Sequence, residues 1–251
     1  MKISAVVLTK NEEKNIKDCL QALSFADETI VIDDGSSDKT REIAEKLGAK
    51  VWVRSLNGDF AAQRNFGLSK ARGDWILFVD ADERVTPELQ QEIKEKCQKA
   101  GNFSGFYLRR KDYFLGRWLR YGETAHVKPL RLAKKNAGQW KRKVHEIWEI
   151  RKGRVEELKS SLIHYPHPTI SEFLREINEY TDINAYQIYL EGQRFRLWQL
   201  FLYPMIKYGQ NYCWRLGFLD GFPGLVMALM MAYHSLITRV KLWEIQSKKV
   251  A

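Results

Sequence analysis

The sequence predicts an α/β fold, a largely parallel sheet flanked by helices and followed by a helical C-terminal extension. Three observations carry that reading. Strand-like and helix-like segments alternate four times before residue 104, three of the strands end in polar clusters rich in carboxylates, and the chain beyond Phe195 is apolar, aromatic and helical in pattern.

Residues Ile3 to Thr9 form an apolar strand, and Ile16, Cys19, Leu20 and Leu23 recur at helical spacing after a polar turn. Glu28 to Asp34 repeats the strand, and a helix from about Asp38 to Leu47 stops at Gly48. A third strand spans Lys50 to Arg54, and a helix from Asp59 to Arg72 ends at Gly73. The run Trp75-Ile76-Leu77-Phe78-Val79 has no polar alternation, as expected of a strand buried on both faces. It ends in Asp80-Ala81-Asp82-Glu83. Thr86 then caps a helix with Pro87 at its first position, and Gly101 closes it.

From Gly105 the strands become short, basic and aromatic: Phe106 to Leu108, Val127 to Leu132 and Val144 to Ile150. They are expected to complete the sheet and wall a site. Thr169 and Glu172 form a capping box for a helix through Tyr189 that Gly192 ends. Farther on, Phe222 to Ile237 is sixteen residues without charge, short of the roughly 20 that cross a bilayer. The pattern suits a segment lying in the membrane interface, with Trp198, Tyr203, Trp214 and Trp243 at headgroup level and Lys207, Arg215, Arg239 and Lys241 toward anionic lipid. A buried helical hairpin or a dimer contact is the alternative. The expected division is residues 1–167 and 168–251, the first part splitting after 104.

At 251 residues and 45% hydrophobic content the chain can bury a substantial core, which excludes disordered and fibrous classes. Its net charge is +10, yet Phe106 to Arg154 alone holds 15 Lys or Arg against 4 Asp or Glu. That concentration points to an anionic partner: nucleic acid, a phosphorylated glycan or a membrane surface. Cys19, Cys97 and Cys213 are far apart and lack metal-ligand spacing, as expected of core thiols in a reducing compartment. The N-terminus enters a strand at once without the pattern of a signal peptide, so the catalytic part is expected in the cytoplasm.

Strand ends of a parallel sheet share one edge, so Thr9-Lys10-Asn11-Glu12, Asp33-Asp34-Gly35-Ser36-Ser37-Asp38 and Asp80-Ala81-Asp82-Glu83 should line one pocket. The first two would meet a nucleoside. The third would hold a hard divalent cation on its diphosphate. Neither a glycine-rich dinucleotide fingerprint nor a phosphate loop with its lysine is present, which disfavours oxidoreductase and NTPase readings.

The motifs Val-Val-Leu-Thr-Lys-Asn-Glu-Glu, Val-Ile-Asp-Asp-Gly-Ser-Ser-Asp, Gln-Arg-Asn-Phe-Gly and Phe-Val-Asp-Ala-Asp-Glu, in that order, resemble those of the family 2 inverting glycosyltransferases with their GT-A fold. Phe-Leu-Gly-Arg-Trp-Leu-Arg-Tyr-Gly, Lys-Val-His-Glu, His-Tyr-Pro-His-Pro and Gly-Phe-Leu-Asp-Gly are similar to the branch of lipopolysaccharide and lipooligosaccharide core β-1,4-glucosyltransferases of Gram-negative bacteria. The resemblance implies a UDP-sugar donor, Mg²⁺ or Mn²⁺ as cofactor and a lipid-linked anionic glycan as acceptor. It places the enzyme peripherally on the cytoplasmic face of the inner membrane, against an anionic membrane surface. Residues 1–104 become the donor half and 105–167 the acceptor half. Asp33 and Asp34 would contact uracil and ribose with support from Thr9 and Glu12, and Arg64 would lie near the base or pyrophosphate. Asp82 would ligate the metal, while Asp80 shares the metal motif and reaches the ribose or donor sugar.

An inverting transfer needs a carboxylate to take the acceptor's proton. Glu146 follows a predicted strand at the end of the basic stretch and is the expected base; Asp112 and Glu123 are the alternatives, and Glu146 could instead pair with a nearby arginine. His145 and His164 are candidates for a metal or phosphate contact. Arg109, Arg117, Arg120 and Arg131, with Arg110, Lys111 and Lys128, suit the phosphates and carboxylates of an acceptor. A polyprenyl-phosphate sugar synthase shares the donor features and is the nearest rival. A non-catalytic basic module leaves the carboxylate-tipped strands without a role, and no nucleic-acid motif is present, so nucleic acid is not an expected partner. The oligomeric state is not legible in this pattern.

Overall fold

The computed structural model describes residues 1–143 and 146–248. The chain divides into two compact units, Met1–Arg110 with Val127–His164, and Lys111–His126 with the chain from Tyr165 onward.

In the first unit the order is β1 (Ile3–Thr9), α1 (Ile16–Ala22), β2 (Glu28–Asp33), α2 (Thr40–Lys46), β3 (Lys50–Val53), α3 (Phe60–Lys70) and β4 (Trp75–Asp80). β1 pairs in parallel with both β2 and β4, and β3 joins β2 in parallel. After β4 the chain makes a short strand β5 (Glu83–Val85) before α4 (Pro87–Gln98). Next come β6 (Phe103–Phe114), β7 (Arg117–Trp118), β8 (Leu130–Lys134), β9 (Gly138–Lys141), β10 (Ile147–Ile150) and β11 (Arg154–His164). Among the described residues the sheet runs β3-β2-β1-β4-β8-β6-β11-β5, parallel in its first half and antiparallel at β8, beyond it and at β5.

Alternate residues of the central strands feed two cores, which is why their sequences are continuously apolar. Ala5, Val7, Val31, Leu77 and Val79 meet Ile16, Cys19 and Leu20 of α1 and Leu89 and Ile93 of α4. Val6, Ile30, Ile32, Ile76 and Phe78 face the other way, toward Ala61 of α3 and Trp140 and Trp148 of the β9–β10 hairpin. α3 can lie this close because residue 67 is glycine: a Cβ there would stand 2.6 Å from Val6 Cγ1. Thr86 caps α4 as expected, accepting from the Leu89 amide, and Asp59 caps α3 by accepting from the Ala62 amide.

Several strands differ from expectation. β5, β7 and β9 are too short to show a period, and β11 buries only Leu158 and Leu162 fully, so its pattern is sparse. The strand expected at Val127 to Leu132 lies at Leu130–Lys134 behind a 3-10 turn, Thr124–His126. That expected at Val144 to Ile150 is described from Ile147.

Glu28, at the start of β2, accepts from Ser4 Oγ and the Arg72 amide, both at 2.6 Å, and from Lys50 Nζ at 2.8 Å. Burial alone would raise its pKa, but hydrogen bonds from Lys50, Ser4 and the Arg72 amide outweigh that and hold the carboxyl at about 2. A folded value below the unfolded one stabilises at pH above about 4.5, and the gain disappears as pH falls through about 2. Glu28→Gln is therefore expected to lower stability at neutral pH by up to about 3 kcal/mol and to flatten its dependence between those pH values, as read by denaturant titration.

The second unit holds the β6–β7 hairpin end with α5 (Ile170–Leu190), α6 (Gln199–Gly209) and α7 (Gly221–Ser247). Thr169 caps α5 by accepting from the Glu172 amide. Phe114 and Leu119 pack with Phe173, Ile177 and Met227. The buried Asp220 carboxylate accepts from the backbone amides of Arg120 at 3.0 Å and Tyr121 at 2.9 Å, and Glu123 pairs with Lys207 at 2.8 Å. Those contacts tie residues 111–126 to the helices, whereas the local pattern grouped them with the sheet. Leu197, Phe201, Met205, Trp214 and Phe222 are all at least 67% exposed. Of the cations expected to face lipid, Lys207 is paired with Glu123, Lys241 with Asp182 at 2.8 Å, and Arg239 lies 4.4 Å from the Tyr203 ring centroid. They fasten the unit internally, because side chains of this length reach the nearest acidic or aromatic partner first.

Candidate active site

Register fixes the site. Thr9 stands opposite Asp33 and Leu8 opposite Asp80, so the three polar clusters do share one sheet edge. Asp33 is fully buried and braces its own loop: it accepts the Ser36 amide at 2.8 Å and the Ser36 hydroxyl, with Arg41 Nε 3.9 Å away. Asp34 accepts from Lys10 Nζ at 2.9 Å and the Leu56 amide at 2.7 Å. The Glu12 amide donates to Thr40 Oγ1 at 2.7 Å, and its carboxylate accepts from Asn15 Nδ2 at 2.8 Å. Thr9 is buried beneath these loops.

The second feature is a ladder of alternating charge. Arg64 projects from α3 with 4% of its side chain exposed, sending Nε to Glu146 at 2.8 Å and Nη2 to Asp80 at 3.0 Å. Its guanidinium carbon lies 4.9 Å from the centroid of Trp140 and 5.7 Å from that of Phe78, rings that favour a cation. Arg131 reaches the other Asp80 oxygen from β8, which runs antiparallel to β4. Burial would raise the Asp80 pKa, but Arg131 and then Arg64 outweigh it and hold the carboxyl well below the ordinary range. Glu83 is driven the other way, chiefly by burial, although Arg131 opposes the rise. Asp80 and Glu146 thus lie against the Arg64 guanidinium, and Asp80 against that of Arg131 as well.

Asp82 is the carboxylate left over. β5 pairs with β11 so that Glu83 stands opposite His164, which brings His164 Nε2 to 3.1 Å from Asp82 Oδ2. A partly exposed carboxylate oxygen beside an imidazole nitrogen suits Mg²⁺ or Mn²⁺. No group of three or more His, Cys, Asp or Glu is gathered for a metal among the described residues, so phosphate oxygens and water would have to supply the remaining ligands. That is the usual arrangement for a cation delivered with a nucleotide. Asp80, expected to share the metal, instead has both oxygens on arginines. Cys19 donates to the Asp80 carbonyl at 3.6 Å, and burial pushes its thiol far up, which removes it as a nucleophile.

The expected acceptor residues scatter. Arg131 belongs to the Asp80 ladder and His164 to Asp82. Arg109 is exposed on β6 and pairs with Glu157 at 2.6 Å. Arg117 and Arg120 sit in the second unit, where Arg117 donates to the Leu219 carbonyl at 3.4 Å. His145 lies outside the described residues. The alternative bases Asp112 and Glu123 also lie in the second unit, with Asp112 buried and Glu123 paired to Lys207. Trp140 and the roles of Glu83 and Arg131 escaped the sequence reading. A signal for the last existed: a lone cation within the apolar run Pro129-Leu130-Arg131-Leu132-Ala133 marks a buried charge.

The profile described as Glycosyl transferase family 2 matches residues 4–157. Among curated proteins, the lipopolysaccharide core biosynthesis glycosyltransferase LpsC of Rhizobium meliloti is 26% identical over 253 residues, covering 96% of this chain and 92% of that protein. An uncharacterized glycosyltransferase of Rickettsia typhi is 27% identical, with 98% of this chain and 88% of the relative covered. Among solved structures, TarS of S. aureus in complex with UDP-GlcNAc superposes with a TM-score of 0.52 at 17% identity over 99% of this chain and 92% of that one. Glucosyl-3-phosphoglycerate synthase from Mycobacterium tuberculosis, bound to Mn²⁺, UDP and glucosyl-3-phosphoglycerate, gives 0.52 at 17% identity over 74% and 78%. At these identities the structural likeness speaks for a shared GT-A fold.

Proposed function

This chain belongs to glycosyl transferase family 2, and from that premise we propose that it moves a sugar, glucose by preference, from UDP to the inner core of a lipid-linked lipopolysaccharide or lipooligosaccharide. The observation that carries the reading is the single guanidinium of Arg64 holding Glu146 and Asp80, with Asp82 two residues beyond Asp80 and paired to His164. The similarity to LpsC supports the acceptor class.

In this reading Asp34 and the loop braced by Asp33 receive the uridine, with Thr9 and Glu12 beneath it. Asp80, fixed by two arginines, meets the ribose or the donor sugar. Asp82 and His164 would hold Mg²⁺ or Mn²⁺, which when bound neutralises the charge gathering on the departing diphosphate. Glu146 takes the proton from the acceptor hydroxyl. The freed oxygen pair bonds to the anomeric carbon from the face opposite the phosphate, the bond from that carbon to the phosphate oxygen breaks, and UDP leaves with the electrons of the broken bond, inverting the centre. Arg64 holds the Glu146 carboxylate in place through Nε at 2.8 Å.

The helical unit supplies an attachment. Gly217–Ser247 is the one stretch among the described residues long and apolar enough to cross a membrane, with mean hydropathy 1.3 and only 22% of its apolar window buried. Its uncharged run, Gly221 to Thr238, stops at eighteen residues, short of about 20, and Trp214 and Trp243 are exposed beside it, which supports a helix lying along the cytoplasmic face, where a lipid-linked acceptor is presented. The reading is tested by screening UDP-sugars for transfer to a truncated core oligosaccharide with Mg²⁺ or Mn²⁺. UDP-glucose is expected to be used with inversion. Activity confined to GDP-mannose and a polyprenyl phosphate would replace the reading with the synthase.

A further inference from the structure

The β6–β7 hairpin turns through Leu115 and Gly116, both with positive φ, 46° and 80°, the geometry of the tightest hairpin turn. Its register places Tyr113 opposite Trp118 and Phe114 opposite Arg117. Side chains alternate across a strand, so the two pairs face opposite ways. The Phe114 face is buried against Phe173. The other face would ordinarily be polar, yet it carries two aromatic rings with centroids 4.9 Å apart. A third ring joins them from a distant segment: Tyr165, at 5.8 Å from Tyr113 and 6.3 Å from Trp118.

A cross-strand aromatic pair steadies a short hairpin, and that accounts for Tyr113 with Trp118. It does not account for Tyr165, nor for 38% of Trp118 and 37% of Tyr165 remaining open to solvent. One further fact bears on what the rings meet. Lys111 is exposed and alternates onto the Tyr113 side of β6.

We propose that Tyr113, Trp118 and Tyr165 form a stacking platform for a pyranose ring of the acceptor glycan, with Lys111 taking a phosphate or carboxylate on that glycan. The inference rests on the acceptor reading above and adds the residues that would recognise it. Aromatic faces suit sugars because the axial C–H groups of a pyranose form a flat apolar patch, while its hydroxyls stay at the rim in water. The cation confers preference for an anionic core over a neutral one.

The test is calorimetric titration with core oligosaccharide freed of its lipid by mild acid. Trp118→Leu is expected to weaken binding about tenfold, as the loss of one stacking contact would. Trp118→Phe, which keeps a ring, should recover most of it, and UDP affinity measured on the same samples reports that the donor side is folded. Lys111→Gln should weaken binding of the phosphorylated oligosaccharide and not of the same material after phosphatase treatment. Unchanged affinity in Trp118→Leu overturns the platform alone. Loss of binding to phosphatidylglycerol vesicles with glycan affinity intact overturns it in favour of a lipid contact. Wild-type protein that binds UDP but no core oligosaccharide overturns the acceptor reading and the platform with it.

Discussion

Glu146→Gln is expected to lower sugar transfer about a thousandfold while UDP-sugar affinity stays within a few-fold of wild type. The substitution removes the basic oxygen and little else. A glutamine carbonyl can still accept from Arg64 Nε, which lies 2.8 Å from the native carboxylate, so the ladder keeps its geometry. In the proposed reading, donor contacts come from the other strand ends. The comparison of single-turnover rate with UDP-sugar binding separates the two. Near-normal turnover would show that Glu146 is a structural partner of Arg64 and that the proton goes elsewhere.

Arg64→Ala is expected to act on the fold as well as on the chemistry. Removing the guanidinium leaves Glu146 without its ion-pair partner and Asp80 with Arg131 alone, in a region where Trp140 and Phe78 exclude water. Breaking a buried pair from one side costs about 3–5 kcal/mol, which for a chain of this size lowers the thermal midpoint on the order of 10 °C. Arg64→Lys should fold better but turn over slowly, because one ammonium cannot present two N–H groups to two carboxylates as a planar fork does. A wild-type midpoint in Arg64→Ala would mean that the ladder is not the site's scaffold.

What could be read from the chain in advance follows the range of the interactions. β1, β4 and the caps at Asp59, Thr86 and Thr169 are local matters, written in runs of apolar residues or in a cap and the amide three residues on. The shared edge of the three polar clusters was also legible, since parallel strands leave no other place for it. Arg131 and Arg109 look alike in a count of basic residues, yet one is buried on Asp80 and the other is exposed on Glu157. Charge density does not report which side of a strand faces the core. His164 gained its place from the pairing of β5 with β11, a three-residue ladder between segments far apart in the chain. Residues 111–126 joined the helices through Asp220 in the same way, by contacts across about a hundred positions that no local period encodes.

Asp82 and His164 are proposed to grip a divalent cation carried on the donor's diphosphate. Electron paramagnetic resonance of Mn²⁺ reads this without any turnover, because free and bound Mn²⁺ are distinguished by signal amplitude. With wild-type protein, added UDP is expected to draw Mn²⁺ into the bound state. Asp82→Ala should weaken that UDP-dependent uptake by about a hundredfold, the loss expected when a coordinating or supporting group of a metal site is removed. Uptake of Mn²⁺ by Asp82→Ala at wild-type UDP concentrations would contradict the claim.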